Sequence, residues 1–227
     1  MTAAERWAER SLGYRFRDAG LLGQALTHRS AGRPHNERLE FLGDALLGAV
    51  IASCLFERLP AAREGTLTRY RALLVRRDSL AELAAEIGLG EQLRMGGGEL
   101  GSGGRQRRST LADALEAVIG AVFLDGGFAA VERVLRRLYA GRLAALPPEA
   151  ALRDAKTALQ EALQARGLGL PEYRLLGSSG PPHAQRFEAS CVIAELGIET
   201  TASGSSRQRA EQGAAALALA QLPDGSR

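Results

Sequence analysis

The chain has 227 residues, 45% of them hydrophobic and 24% charged, a composition that excludes wholesale disorder and suits one large domain or two modest ones. Its formal net charge is only +3, and just one of its 29 basic residues is a lysine, Lys156, so charge alone neither demands nor excludes nucleic acid. Cys54 and Cys191 both sit in apolar runs and read as buried free thiols, no continuous apolar run reaches the ~18 residues of a membrane helix, and the first ten residues are charged, so a soluble, cytoplasmic protein with no membrane partner is expected.

From residue 3 to about 145 the apolar spacing is helical, in stretches 39–59, 67–87, 110–124 and 128–143 separated by polar or glycine-rich joints. The run Met95-Gly-Gly-Gly-Glu-Leu-Gly-Ser-Gly-Gly-Arg reads as a loop, and Leu146-Pro147-Pro148-Glu149 ends the helical region. A helix follows over 154–166, with Leu159 and Leu163 four apart. After Pro171 come short alternating runs at 172–176, 186–194 and 197–202, then an alanine-rich helix over 206–222. The expected architecture is an all-α domain at residues 1–146, a linker at 147–153, and an α+β (α-β-β-β-α) domain at 154–224 whose two helices cover one face of a three-stranded antiparallel sheet. From residue 151 onward basic and acidic residues balance, so any anion-binding surface there must come from local segregation of charge.

The informative feature is acid where a core is expected. On a helix, Glu37, Glu40 and Asp44 fall within about 60° of arc, and Gly48 and Ile51 continue that face as an apolar one. A second helix, from Thr110 onward, is apolar nearly all round yet carries Asp113 and Glu116 three residues apart. Thr110 as N-cap with Asp113 at N3 would account for Asp113 as a capping box, but not for Glu116 a turn further in. Set side by side, the helices offer Glu40, Asp44, Asp113 and Glu116. Carboxylates packed together either take raised pKa values or bind a cation. A donor set of oxygens alone points to Mg²⁺, with Mn²⁺ able to substitute, rather than to zinc. His28, His35 and His183 are scattered, which argues against a histidine-based nuclease.

The run Asn36-Glu37-Arg38-Leu39-Glu40-Phe41-Leu42-Gly43-Asp44 resembles the signature motif of bacterial ribonuclease III. Ala25-Leu26-Thr27-His28-Arg29-Ser30 and Leu111-Ala112-Asp113-Ala114-Leu115-Glu116-Ala117 are similar to further motifs of that family, and the tail resembles a double-stranded-RNA-binding domain. The resemblance implies a homodimeric, Mg²⁺-dependent endoribonuclease that leaves 5′-phosphate and 3′-hydroxyl ends on double-stranded RNA, in rRNA and mRNA processing. It implies Glu40, Asp113 and Glu116 as metal ligands, Asp44 and Glu116 as catalytic residues, and Glu37 and Glu64 as auxiliary acids. In the tail it implies RNA contacts by Thr157, Gln160 and Glu161 in one minor groove, His183 in the next, and Ser206, Arg207 and Arg209 on phosphates. The chain departs from the family pattern at Gln208, where a basic residue is usual, and at Ala202, where glycine is common. For the dimer contact we expect the apolar outer side of the signature helix, Phe41, Leu42 and Ala45.

Overall fold

The computed structural model describes residues 1–149, 155–181 and 185–223. The chain divides into two compact units, Met1–Pro147 and Pro148–Arg227.

The first unit is helical throughout its described elements: α1 (Ala3–Leu12), α2 (Ala19–Ala25), α3 (Glu37–Arg58), α4 (Glu64–Val75), α5 (Arg77–Glu86), α6 (Leu89–Gln92), α7 (Gly97–Gly101), α8 (Arg108–Gly126) and α9 (Phe128–Ala144). Two expectations from the sequence need correction. The stretch 67–87 is two helices, because Arg76 is extended (φ −63°, ψ 150°) and breaks the hydrogen-bond ladder between them. The glycine-rich stretch after Met95 is not a plain loop: it winds through α7 and a 3-10 turn at Gly104–Gln106, with Gly103 in the left-handed conformation (φ 75°) turning the chain between them.

Helix α8 is the axis of this unit. Eleven of its nineteen residues are buried, from Thr110 to Val122, and α2, α3, α5 and α9 all pack on it. Its crossing with α3 is unusually close. A Cβ at Gly43 would overlap the Glu116 carbonyl oxygen, and a Cβ at Gly120 would overlap the Leu39 carbonyl oxygen. Glycine within a helix costs about 1 kcal/mol relative to alanine. Here it allows two backbones to touch, and the acids flanking both glycines are drawn together.

Helix α3 is long and apolar enough, by length and composition, to cross a membrane, although charged residues interrupt its apolar run. In the fold its buried line, Leu39, Gly43, Leu47, Val50, Ile51, Cys54 and Leu55, belongs to the core of this unit. The two outer ends of the unit are fastened by polar contacts. Trp7 donates from Nε1 to the Ile87 carbonyl (2.6 Å), and Asp125 accepts from the Tyr14 hydroxyl (2.6 Å) and from the Arg17 and Asp18 amides.

The second unit contains α10 (Ala155–Gln164), β1 (Glu172–Ser179), β2 (Arg186–Ile193), β3 (Ile198–Gly204) and α11 (Arg207–Ala220). The sheet is antiparallel in the order β1-β2-β3. Leu159 and Leu163 of α10, Cys191 and Ile193 of β2, and Ala214, Ala215 and Ala218 of α11 form its core. Small alanines let α11 lie close to the strands. Strand β1 runs three residues past its expected end, through a register shift between Leu175 and Gly177 that breaks the alternation and leaves Leu175 and Leu176 exposed.

Candidate functional site

Helices α3 and α8 build one wall each of a cleft of about 980 Å³. Glu40, Asp44, Asp113 and Glu116 all line it, and Glu37 stands at its edge. Ligand oxygens of Glu40, Asp113 and Glu116 lie within 4.8 Å of one another. Asp44 faces the same cleft but is not part of this tight trio; it is exposed, one turn further along α3 than Glu40.

The electrostatics follow from crowding and partial burial. Burial pushes Glu116 up to about 8, with further contributions from Asp44, Asp113 and Glu40 in that order. Glu40 is raised by burial, then by Asp113 and Glu37. Asp113 is raised by burial. Arg77, at the start of α5, opposes each of these shifts without cancelling them. The trio is therefore short of positive charge. Three hard oxygen donors with no histidine or cysteine among them fit a divalent cation such as Mg²⁺ or Mn²⁺.

The capping explanation for Asp113 fails. Helix α8 begins at Arg108, so Thr110 is already inside it and buried, and Asp113 lies well past the first turn. Glu64 lies apart from these four acids. It does not line the cleft; it opens α4, accepts a hydrogen bond from the Thr68 hydroxyl (2.8 Å), and borders a hollow beside Phe56 and Leu67.

Sequence reasoning missed several lining residues. His28, Arg29 and Ser30 reach the rim because the chain at 26–28 pairs with Arg94, the His28 amide donating to the Arg94 carbonyl (2.9 Å) and the Arg94 amide to the Leu26 carbonyl (2.8 Å). Arg77, Glu99 and Arg107 also line the cleft, and Arg107 pairs with Glu99. Only the clustering of arginines around residues 76–77 and 105–108 hinted at a basic rim. Arg29 pairs with Glu37 at 3.4 Å. Phe41, on the outer side of α3, is 82% exposed.

In the second unit Thr157, Gln160 and Glu161 are exposed at positions i, i+3 and i+4 of α10, hence on one face. Ser206 caps α11, its hydroxyl accepting from the Arg209 amide (3.2 Å), and Arg207, Gln208 and Arg209 are exposed in the first turn. That is a helix N-terminus with two arginines on it, an arrangement suited to phosphate. His183 lies outside the described residues. The departure at Ala202 has a structural counterpart, since a Cβ at Gly213 would come within 2.9 Å of the Ala202 Cβ. The methyl on β3 fills space that a side chain on α11 would otherwise need.

Comparison with known proteins covers both units. Residues 18–143 match the Ribonuclease-III-like family, and residues 155–222 match the double-stranded RNA binding motif. The chain is 56% identical over 214 residues to Ribonuclease 3 of Aromatoleum aromaticum, covering 94% of this chain and 95% of that one. It is 52% identical to Ribonuclease 3 of Thiobacillus denitrificans over the same shares. The crystal structure of the nuclease domain of ribonuclease III from Campylobacter jejuni aligns with a TM-score of 0.61 at 39% identity, covering 64% of this chain and 100% of that one. A second structure of that domain, described for flexibility in a region involved in dimer formation, aligns at 0.57 with 44% identity, covering 58% and 93%.

Proposed function

The chain belongs to the ribonuclease III family and is an endoribonuclease acting on double-stranded RNA, and from that premise we propose how its residues divide the work. Residues 1–146 are the catalytic and dimerisation domain, 147–153 a linker, and 154–224 the RNA-binding domain. Glu40, Asp113 and Glu116 hold Mg²⁺, or Mn²⁺ in its place. The convergence of their oxygens within 4.8 Å is the observation that carries this reading.

When bound, the cation supplies neutralisation of charge on the scissile phosphate and lowers the pKa of water beside it. The chain's own residues then have three tasks. Glu116 must give up the proton that burial otherwise keeps on it, since only the carboxylate is a ligand. Asp44, exposed on the same wall, orients the attacking water in line with the departing 3′ oxygen. Arg77 and Arg107, with Arg29 beside Glu37, flank the acids with positive charge that favours the RNA backbone. The products carry 5′-phosphate and 3′-hydroxyl ends. Glu37, at the cleft, and Glu64, at the start of α4, are auxiliary acids.

The exposed Phe41, with Leu42 and Ala45 beside it, supports a homodimer in which two identical sites meet the two strands of the duplex. Thr157, Gln160, Glu161 and His183 read the shape of the minor grooves, and Ser206, Arg207 and Arg209 grip phosphate. The buried free thiols Cys54 and Cys191 accord with a reducing cytoplasm, where the transcripts are rRNA and mRNA precursors.

Incubation with long duplex RNA tests the assignment. Wild type cuts with Mg²⁺ and stops with chelator, while Glu116→Gln binds the duplex but cuts at least ~10³-fold more slowly. Undiminished cutting by Glu116→Gln overturns the ligand set.

A further inference from the structure

In a chain whose other 28 basic residues are arginine, the one lysine occupies a specific place. Lys156, at the start of α10, sets its Nζ 2.8 Å from Glu211 Oε2 on α11 and 4.0 Å from the centre of the Tyr173 ring on β1. Its amide also donates to the Gln212 side-chain oxygen (3.3 Å), so the same turn of α11 is tied to α10 twice. A compact ammonium can sit over a ring face while pointing a donor at a carboxylate. A guanidinium at this position would put a wider, planar group against the same ring and carboxylate, so the exchange is not a conservative one.

Glu211 is nearly buried, 7% exposed, and its second oxygen accepts from Arg207 Nε at 2.7 Å. Both cations hold the carboxylate below its usual range, Lys156 foremost. The three charges sum to a single positive one, and it resides on Arg207, whose side chain remains 63% exposed at the N-terminus of α11. An acid one turn from a phosphate-binding helix terminus should repel RNA on charge alone. Enclosed between two cations it acts instead as an anchor, fixing one edge of the guanidinium and leaving its terminal nitrogens for an outside acceptor.

We propose that Glu211, itself fixed by Lys156, is a positioning residue that presents Arg207 to a backbone phosphate of duplex RNA. This rests on the reading of Arg207 as a phosphate contact. It explains why an acid stands in the RNA-binding turn, and why a chain otherwise built with arginine keeps a lysine at 156.

The test is duplex-RNA affinity of the full-length protein, measured by direct binding with chelator present, together with KM and kcat for cleavage. Glu211→Gln adds a positive charge to the surface, yet we expect affinity to fall about three- to tenfold, with KM rising and kcat on saturating substrate unchanged. Lys156→Arg, which conserves charge, gives a similar loss. In an Arg207→Ala background, itself weaker than wild type, Glu211→Gln adds no further loss, an outcome that general damage to the domain would not produce. Equal or tighter binding by Glu211→Gln, or a loss that persists in the Arg207→Ala background, overturns the proposal alone. Unchanged affinity in Arg207→Ala itself overturns the underlying assignment of Arg207.

Discussion

Glu116, half-buried, and Glu211, nearly buried, are the same residue type, one on each unit, and their chemistry is opposite. Around Glu116 burial comes first and the like charges of Asp44, Asp113 and Glu40 add to it, so its proton is held up to about 8. Around Glu211 the nearest charges are Lys156 and Arg207, so its proton leaves more easily than usual. One site is a cluster of carboxylates with only acids close at hand, and the other is a carboxylate whose counter-charges are built into the chain. The lesson is that burial does not by itself make an acid functional; what matters is whether the fold supplies the counter-charge.

In each unit a glycine lies at a close contact near the carboxylate, and substituting it probes the packing there. Gly43→Ala has the larger effect, because its new methyl meets the Glu116 carbonyl on α8 rather than a flexible side chain. We expect a loss of at least about 3 kcal/mol in urea unfolding, at the upper end of what overpacking costs. Cleavage should be lost with it as α3 and α8 part. A loss below about 1 kcal/mol would show that the crossing is not as tight as described.

Gly213→Ala acts in the small unit, two residues from Glu211. Helix propensity gains about 1 kcal/mol from the change, but overpacking against Ala202 should cost about 1–3 kcal/mol, for a net loss of up to about 2 kcal/mol. Pairing it with Ala202→Gly should restore stability. Simple additivity of the two substitutions in a double-mutant cycle would rule out the contact as the reason for the departure at Ala202.

Much of this contrast is legible in the amino-acid sequence. Glu40, Asp113 and Glu116 stand out because acids interrupt helices that are otherwise apolar, and the α-β-β-β-α order follows from a change of period after Pro171. What periodicity cannot supply is contact between distant elements. Gly43 and Gly120 read as weak points in two helices, since nothing local marks a glycine as the site of a backbone crossing. Asp113 reads as a cap because Thr110 precedes it by three residues, yet Arg108 and Ser109 already belong to α8. Resemblance groups Glu64 with the other acids, but α4 carries it to a different hollow of the same unit. The link between Lys156 and Glu211 joins residues 55 apart, and only the packing of α10 on α11 reveals it.

If Glu40, Asp113 and Glu116 form a site completed by a divalent cation, its pH dependence takes its sign from Glu116. Because the folded pKa of Glu116 lies above the ordinary 4.5, the cation-free fold is favoured below that value and loses the advantage as pH rises through about 8. A bound cation reverses this by taking the ionised form. The direct measurement is calorimetric titration of Mn²⁺ into the full-length protein at pH 7, in buffers of different ionisation enthalpy. Saturable binding is expected with release of about one proton per ion, both lost in Glu116→Gln. Binding as tight in Glu116→Gln as in wild type is incompatible with a cation held by these three carboxylates, and binding by wild type with no proton released is incompatible with a proton held on Glu116 at pH 7.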